Sequence, residues 1–204
     1  INQFRRSITG HSIQITQNLP YVVNGSTLIA SIIQNAGSAE LDGGEFEGQI
    51  YPIEDLQLSG TASYVHKSFT RLAAGVSPAV AVFNPPTVPE WQLTAGARYH
   101  LPLDAAIGSV SLGTTWTWVS TGLNAIDLRT EPFDKFKAHG LLNFNADWSN
   151  VMGSPVDISF YMTNALNRSY YYSIQPFYYS LGFSEVSPGA PRMYGFRVRY
   201  SFGS

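Results

Sequence analysis

The segment Arg192–Phe202 constrains the fold more than any other part of the chain, because its side chains alternate with a period of two. Tyr194, Phe196, Val198, Tyr200 and Phe202 fall on one face of an extended strand, and Gly195, Arg197, Arg199 and Ser201 fall on the other. A water-soluble sandwich buries such aromatics between two sheets and leaves the arginines to water. A transmembrane barrel uses the same alternation with its apolar side in lipid and its polar side towards the lumen. One strand does not choose between these architectures, but the rest of the chain does.

Only 13% of the 204 residues are charged, while 14% are aromatic. A soluble domain carries about 25% charged residues, so a surface this poor in charge would be badly solvated. No stretch approaches the roughly 18 consecutive apolar residues of a membrane helix. Low charge, abundant aromatics and no long apolar run together indicate a β-protein of an outer membrane. The chain has no cysteine, which removes disulfides and thiolate metal sites, and its net charge of -2 gives no electrostatic case for nucleic acid. It begins at Ile1-Asn2-Gln3 without an initiator Met or an apolar leader and reads as a mature chain or as part of a longer polypeptide, the second being favoured.

The same period recurs upstream. Ile13 and Ile15 alternate with polar neighbours in Ser12–Gln17, and Phe46, Gly48 and Ile50 oppose Glu45, Glu47 and Gln49 in Gly44–Tyr51. Leu56, Leu58, Ala62 and Tyr64 oppose Gln57, Ser59, Thr61 and Ser63. Trp91, Leu93, Ala95, Ala97, Tyr99 and Leu101 oppose Glu90, Gln92, Thr94, Gly96, Arg98 and His100. Val110, Leu112, Trp116 and Trp118 oppose Ser109, Ser111, Gly113, Thr115 and Thr117. Leu142, Phe144, Ala146 and Trp148 oppose Asn143, Asn145 and Asp147, and Val156, Ile158, Phe160 and Met162 oppose Asp157, Ser159, Tyr161 and Thr163. With the terminal segment this predicts about eight strands, near the 9–11 residues that a tilted strand needs to cross a bilayer.

The predicted connections alternate in length. Short ones fall at Pro52–Asp55, Pro102–Asp104 and Asn150–Pro155, and long ones at Leu19–Ser38, Thr70–Pro89, Ser120–Lys135 and Ala165–Pro191. Outer-membrane barrels segregate tight periplasmic turns from long extracellular loops in this way, whereas a Greek-key sandwich has no reason to. Eight strands can close a narrow barrel packed with large side chains, but many inward positions here are small. Ser59, Thr61, Ser63, Thr94, Gly96, Ser109, Ser111, Gly113, Thr115 and Ser159 suit a wide barrel that holds water or a plug. An open sheet would leave unpaired edges in lipid, so closure by strands outside this chain is expected.

Several segments carry a resemblance. Asn35 with Ala39 precedes Gly43-Gly44-Glu45-Phe46-Glu47, then come Tyr51-Pro52, Leu56, Leu58, Gly60 and Tyr64, and then Pro86, Pro89 and Trp91. Asn164-Ala165-Leu166-Asn167 followed by Tyr170 is similar to an Asn-x-x-Asn/Asp-x-x-Tyr segment, and Pro188-Gly189-Ala190-Pro191-Arg192 to a Pro-Gly-x-Pro-Arg segment before a last strand. Tyr200-Ser201-Phe202 resembles a terminal aromatic signature, although Gly203-Ser204 follow it. In this order and spacing the chain resembles the C-terminal β-barrel segment of TonB-dependent outer-membrane receptors. The resemblance implies an all-β, transmembrane antiparallel barrel, of which residues 1–204 are a partial domain of about eight C-terminal strands. The plug domain and N-terminal strands are absent, and the whole barrel would have 22 strands, the family's count.

Individual residues are read against this frame. Glu45 and Glu47 could suggest a cation site, but alternation along a lumen-facing strand explains them, since hard cations need more oxygen ligands than two. Gly43-Gly44 with Gly48 is not a phosphate cradle, because no helix start follows. His11, His66, His100 and His139 show no metal-ligand spacing, with His66 expected near an external rim. No Gly-x-Ser-x-Gly is present and no carboxylate is set to orient a histidine, which argues against a Ser–His hydrolase; catalytic residues, metals and cofactors are all expected to be none. Trp91, Tyr99, Trp116, Trp118, Trp148, Tyr194 and Tyr200 are read as girdle residues, apolar rings with a wet N–H or O–H. Arg197 and Arg199 are expected to pair with acidic groups on a plug or on neighbouring strands. Asn24-Gly25-Ser26 and Asn167-Arg168-Ser169 are read as turns.

Tyr170-Tyr171-Tyr172 with Phe177-Tyr178-Tyr179 exceeds what a girdle requires in the last external loop. Tyr171, Tyr172, Phe177 and Tyr178 form a candidate solute-binding set, with extension of the strand pair above the membrane as the equal alternative. The resemblance implies an outer-membrane receptor of a Gram-negative bacterium, not an enzyme, that takes up an iron–siderophore, cobalamin or carbohydrate. The TonB complex would supply energy through the absent plug, and the assembly machinery would read Tyr200 and Phe202. The alternatives are a passive porin-like channel, a small stand-alone barrel, or an outer-membrane hydrolase.

Overall fold

The computed structural model describes residues 2–8, 14–35, 37–72, 89–123, 135–175 and 181–202. Fourteen strands lie in these residues: β1 (Asn2–Ile8), β2 (Gln14–Val23), β3 (Ser26–Asn35), β4 (Gly37–Ile53), β5 (Leu56–Leu72), β6 (Trp91–His100) and β7 (Ser109–Val119), followed by β8 (Gly122–Leu123), β9 (Lys135–Phe136), β10 (His139–Ser149), β11 (Val156–Thr163), β12 (Tyr171–Gln175), β13 (Glu185–Pro188) and β14 (Met193–Tyr200). Eight of them form one antiparallel sheet in the order β1-β4-β5-β6-β7-β10-β11-β14. The other six form the hairpins β2–β3, β8–β9 and β12–β13, each inserted into a long connection. Strands β1 and β14 are the two edges of the sheet, so among the described residues the barrel is not closed.

The register lines the alternating residues into rows. Phe46, Ala62, Leu93 and Trp118 make one apolar row across β4, β5, β6 and β7. Val110, Trp148, Ile158 and Val198 make another across β7, β10, β11 and β14. On the opposite face Arg98, Gly113, Asn145, Tyr161 and Gly195 stand side by side. Within the described residues, Ile174 in an outer hairpin is the single buried large apolar side chain, while Phe196 on β14 is 72% exposed. A sandwich would hide these apolar rows between sheets, whereas this sheet turns them outward. That distribution is stable only where the outer surface meets hydrocarbon.

The polar face is tied by its own side chains. Arg98 donates from Nη2 to Ser111 Oγ at 2.7 Å and lies 3.5 Å from Asp147 Oδ2. Asn145 Nδ2 donates to the same carboxylate oxygen at 2.9 Å. No carboxylate among the described residues reaches ion-pair distance of Arg197 or Arg199. Asp157, the register partner of Arg199, instead accepts the Asn150 backbone N–H at 3.0 Å.

Short and long connections alternate as the sequence predicts. The tight ones are Glu54–Asp55, 101–108 and 150–155. In the last of these, Asn150 and Met152 both adopt left-handed backbone, φ 51° and 49°. Gly108 has φ 94°, and a Cβ there would run into the backbone carbonyls of Ser149 and Asn150. The two turns are thereby held in contact. The expected Asn24-Gly25 turn is present, with φ 52° and 79°, and it closes β2 onto β3.

Three expectations are corrected. Ser12–Gln17 is not the first membrane strand: Gln14 begins β2 of an outer hairpin, residues 12 and 13 lie outside the described residues, and the sheet begins with β1. The connections expected as plain loops at Leu19–Ser38, Ser120–Lys135 and Ala165–Pro191 contain hairpin strands. Strands β4 and β5 have 17 residues each, well beyond the expected length. At about 3.3 Å per residue such a strand exceeds a bilayer core of about 30 Å even when tilted, so both rise above the membrane.

Candidate functional site

The last long connection is fastened at its base by two asparagines. Asn164, 3% exposed, ends β11 in left-handed backbone at φ 48°, a conformation asparagine tolerates better than most residues. Its Nδ2 donates to the carbonyls of Arg168 and Ala190 at 2.9 and 3.0 Å, and its Oδ1 accepts the Arg168 N–H at 2.8 Å. The Asn164 N–H in turn donates to Asn143 Oδ1 at 2.9 Å on β10. Asn167, also left-handed, accepts the Arg192 N–H on its Oδ1 at 3.1 Å. Gly189 donates its N–H to the Tyr170 carbonyl at 2.8 Å, and a Cβ on Gly189 would fall inside the Tyr170 ring. The two similar segments, Asn-x-x-Asn-x-x-Tyr and Pro-Gly-x-Pro-Arg, are thus the two sides of one clamp. It sets the root of the β12–β13 hairpin.

The clamp aims Tyr170 at His139, the first residue of β10, where the rings stack at 4.6 Å and 22°. His139 Nδ1 lies 3.0 Å from the Lys137 carbonyl. A carbonyl only accepts, so Nδ1 is the donor in this contact and Nε2 is the ring nitrogen left for another partner. By register His139 stands beside Val119, and Val119 beside Gln92, at the outer ends of β10, β7 and β6. All three lie on the polar face. Ser120 and Trp91 exchange hydrogen bonds, Ser120 N–H to the Trp91 carbonyl at 3.0 Å and Trp91 N–H to Ser120 Oγ at 3.1 Å. That pair holds β8–β9 over the end of β6.

Together these elements form a cleft of about 320 Å³, lined by Gln92, Val119 and His139 from the wall, by Ser120 and Phe136 from the connection that carries β8–β9, and by Tyr170, Tyr171 and Tyr172 from the last loop. It is aromatic and neutral, with amide, hydroxyl and imidazole groups able to bond a solute, and it opens at the mouth formed by the long connections. Of the expected solute-binding set, Tyr171 and Tyr172 line this cleft, while Phe177 and Tyr178 lie outside the described residues. Sequence reasoning missed Gln92 and His139 as cleft residues. The face rule already put Gln92 on the polar side, but only the three-dimensional register brings it near Tyr170.

Other candidates fall into place around the cleft. Tyr64 and Trp91 pack at 4.6 Å on the outward face, one element of the expected girdle. Just beyond them His66 Nδ1 and Glu90 Oε1 are 4.0 Å apart, which puts His66 at the outer rim as expected. Lys67, also beyond that girdle, is buried, and desolvation pushes its ammonium below the ordinary lysine value while the Glu90 charge opposes the shift. Glu45 and Glu47 stand exposed opposite Ser63 and Thr61 on the polar face.

Residues 8–196 match the family described as TonB dependent receptor-like, beta-barrel. No curated protein matches the chain. Among solved structures, the ferric preacinetobactin receptor BauA of Acinetobacter baumannii is 24% identical with a TM-score of 0.63, over 92% of this chain and 26% of that one. The ferric yersiniabactin uptake receptor FyuA of Yersinia pestis is 16% identical with a TM-score of 0.69, over 98% of this chain and 30% of that one. The ferric-catecholate import receptor Fiu of E. coli K12 is 14% identical with a TM-score of 0.65, over 96% of this chain and 24% of that one. The chain therefore spans less than a third of the length of these structures, and the likeness is one of fold.

Proposed function

Because the chain belongs to the TonB dependent receptor-like β-barrel family, we propose that it is the C-terminal part of a receptor that binds a scarce solute outside the cell and admits it through the barrel. The family sits in the outer membrane of Gram-negative bacteria, and it is one of receptors and not of enzymes. Residues 1–204 are one partial barrel domain, whose plug and remaining strands are supplied by the rest of the polypeptide. Energy comes from the TonB complex acting through that plug. The exposed aromatics Tyr200 and Phe202 at the end of β14 present the signal for the assembly machinery.

The observation that supports this reading best is the aromatic, neutral cleft at the outer mouth, fixed in place by the Asn164 clamp and opening on the polar side of the wall. Tyr171 and Tyr172, with Phe177 and Tyr178 from the same loop, contact the solute. The related structures are named as receptors of ferric siderophores, which makes an iron chelate the first solute to try. The test is uptake of ferric siderophores by iron-starved cells carrying the full receptor, with and without a working TonB complex. Uptake that needs the TonB complex supports the proposal. Equal uptake in its absence favours a passive channel instead.

A further inference from the structure

Two of the three short turns expose apolar side chains at the end of the sheet where a turn in water would carry polar ones. Leu103 and Ile107 in the first and Met152 in the second are 41%, 40% and 74% exposed. The remaining short turn carries the charged pair Glu54–Asp55 at its tip, with Ile53, 57% exposed, beside it at the end of β4. The two apolar turns are joined: the Met152 N–H donates to the Ile107 carbonyl at 3.1 Å, and the Trp148 indole N–H donates to the same oxygen at 2.8 Å. The left-handed backbone at Met152, flanked by Asn150 and Gly153, leaves its side chain almost free of protein contact.

Trp148 supplies the depth. It belongs to the outward apolar row with Val110, Ile158 and Val198, and an indole with a greasy ring and a wet N–H settles at the headgroup level. Its N–H ends on the Ile107 carbonyl, so the turn sits at that level and continues the lipid-facing surface. The backbone of this foot is partly satisfied from within, since Asp104 Oδ1 accepts the Ala106 N–H at 2.8 Å and the Gly153 N–H donates to the Asn150 carbonyl at 2.9 Å, while the exposed Asp104 carboxylate stays among the headgroups and their water. With the carboxylate kept at the headgroup level, Leu103, Ile107 and Met152 can enter the apolar layer without burying a charge.

We propose that the joined turns 101–108 and 150–155 form an apolar foot seated in the headgroup and upper acyl region of the inner leaflet, with phospholipid as the partner of Leu103, Ile107 and Met152. The charged Glu54–Asp55 turn stays in periplasmic water. The foot fixes the height of the β6–β11 part of the wall against the inner leaflet, independently of any solute or plug.

This chain contains no cysteine, so once any cysteine in the rest of the polypeptide is replaced, single-cysteine spin labels can be placed on it in the full receptor, reconstituted in phosphatidylethanolamine–phosphatidylcholine bilayers. Labels are compared at Ile107→Cys, Met152→Cys, Phe196→Cys as the lipid reference and Glu54→Cys as the aqueous reference. The expected result is an oxygen-to-nickel-chelate collision ratio at 107 and 152 severalfold above that at 54 and approaching that at 196. A ratio equal to that at 54 overturns the proposal. So does a label at 152 that is immobilised and shielded from both reagents, because a protein partner then covers the foot.

Discussion

The Asn164 carboxamide donates a hydrogen bond to the carbonyl of Ala190, 26 residues away along the chain, at 3.0 Å. This contact joins the end of β11 to the lead-in of β14 and closes the loop that carries the tyrosines. The loop therefore leaves the sheet from a fixed root, and Tyr170 meets His139 in a defined pose.

Replacing Asn164 tests that closure. Asn164→Ala removes two donors and an acceptor and puts alanine in left-handed backbone, at a cost on the order of 2–4 kcal/mol. Asn164→Asp keeps the acceptor and the tolerance for positive φ but turns a carboxylate oxygen against the carbonyls of Arg168 and Ala190 in a buried site, so its loss of stability at neutral pH is at least as large. Thermal unfolding of the full receptor in detergent reads both effects. Equal, unchanged midpoints would show that the clamp carries no weight.

Gly189→Ala drives a methyl group into the space of the Tyr170 ring. The ring must swing away from His139, and cleavage of the loop by added protease should rise. Combining it with Tyr170→Ala removes the clash, so the second substitution should add little to the first. Strictly additive damage would mean that the two residues act separately.

Tyr171→Ala and Tyr172→Ala, and Tyr178→Ala from the neighbouring segment, should weaken solute uptake while the barrel still assembles. Heat-modifiable migration on gels reports assembly, and radiolabelled ferric siderophore reports uptake. Full uptake by the triple variant would leave the tyrosines as an extension of the strand pair and nothing more.

The Arg98–Asp147 pair is partly exposed to the lumen, and such pairs contribute less than about 1 kcal/mol. Arg98→Ala should therefore leave the unfolding midpoint of the full receptor nearly unchanged, and Asp147→Asn likewise. A large drop from either would mean that the pair is sealed from water in the assembled barrel.

Much of the wall was legible because period-two alternation is a local property. β6, β7, β10, β11 and β14 lie where Trp91, Leu112, Phe144, Ile158 and Phe196 alternate with polar neighbours. β1 was not, since its Arg5-Arg6 run breaks the pattern. The outer hairpins were missed for a different reason: length segregation marks a long connection but says nothing of pairing inside it. Asn164, Asn167, Tyr170 and Gly189 stood out as segments similar to a family, while their joint role required distances across 26 positions. His139 entered the cleft only through its stacking on Tyr170. Histidine scattered singly in a sequence gives no such signal.

The account rests on which side of the sheet meets lipid, and β14 tests this most directly. Each position from Met193 to Tyr200 in the full receptor is labelled in turn with a fluorophore on a single cysteine, in bilayers containing nitroxide-bearing acyl chains. Quenching should alternate, strong at 194, 196, 198 and 200 and weak at 195, 197 and 199. Uniform quenching, or strong quenching at Arg197 and Arg199 with none at Phe196 and Val198, would contradict the outward placement of the apolar rows.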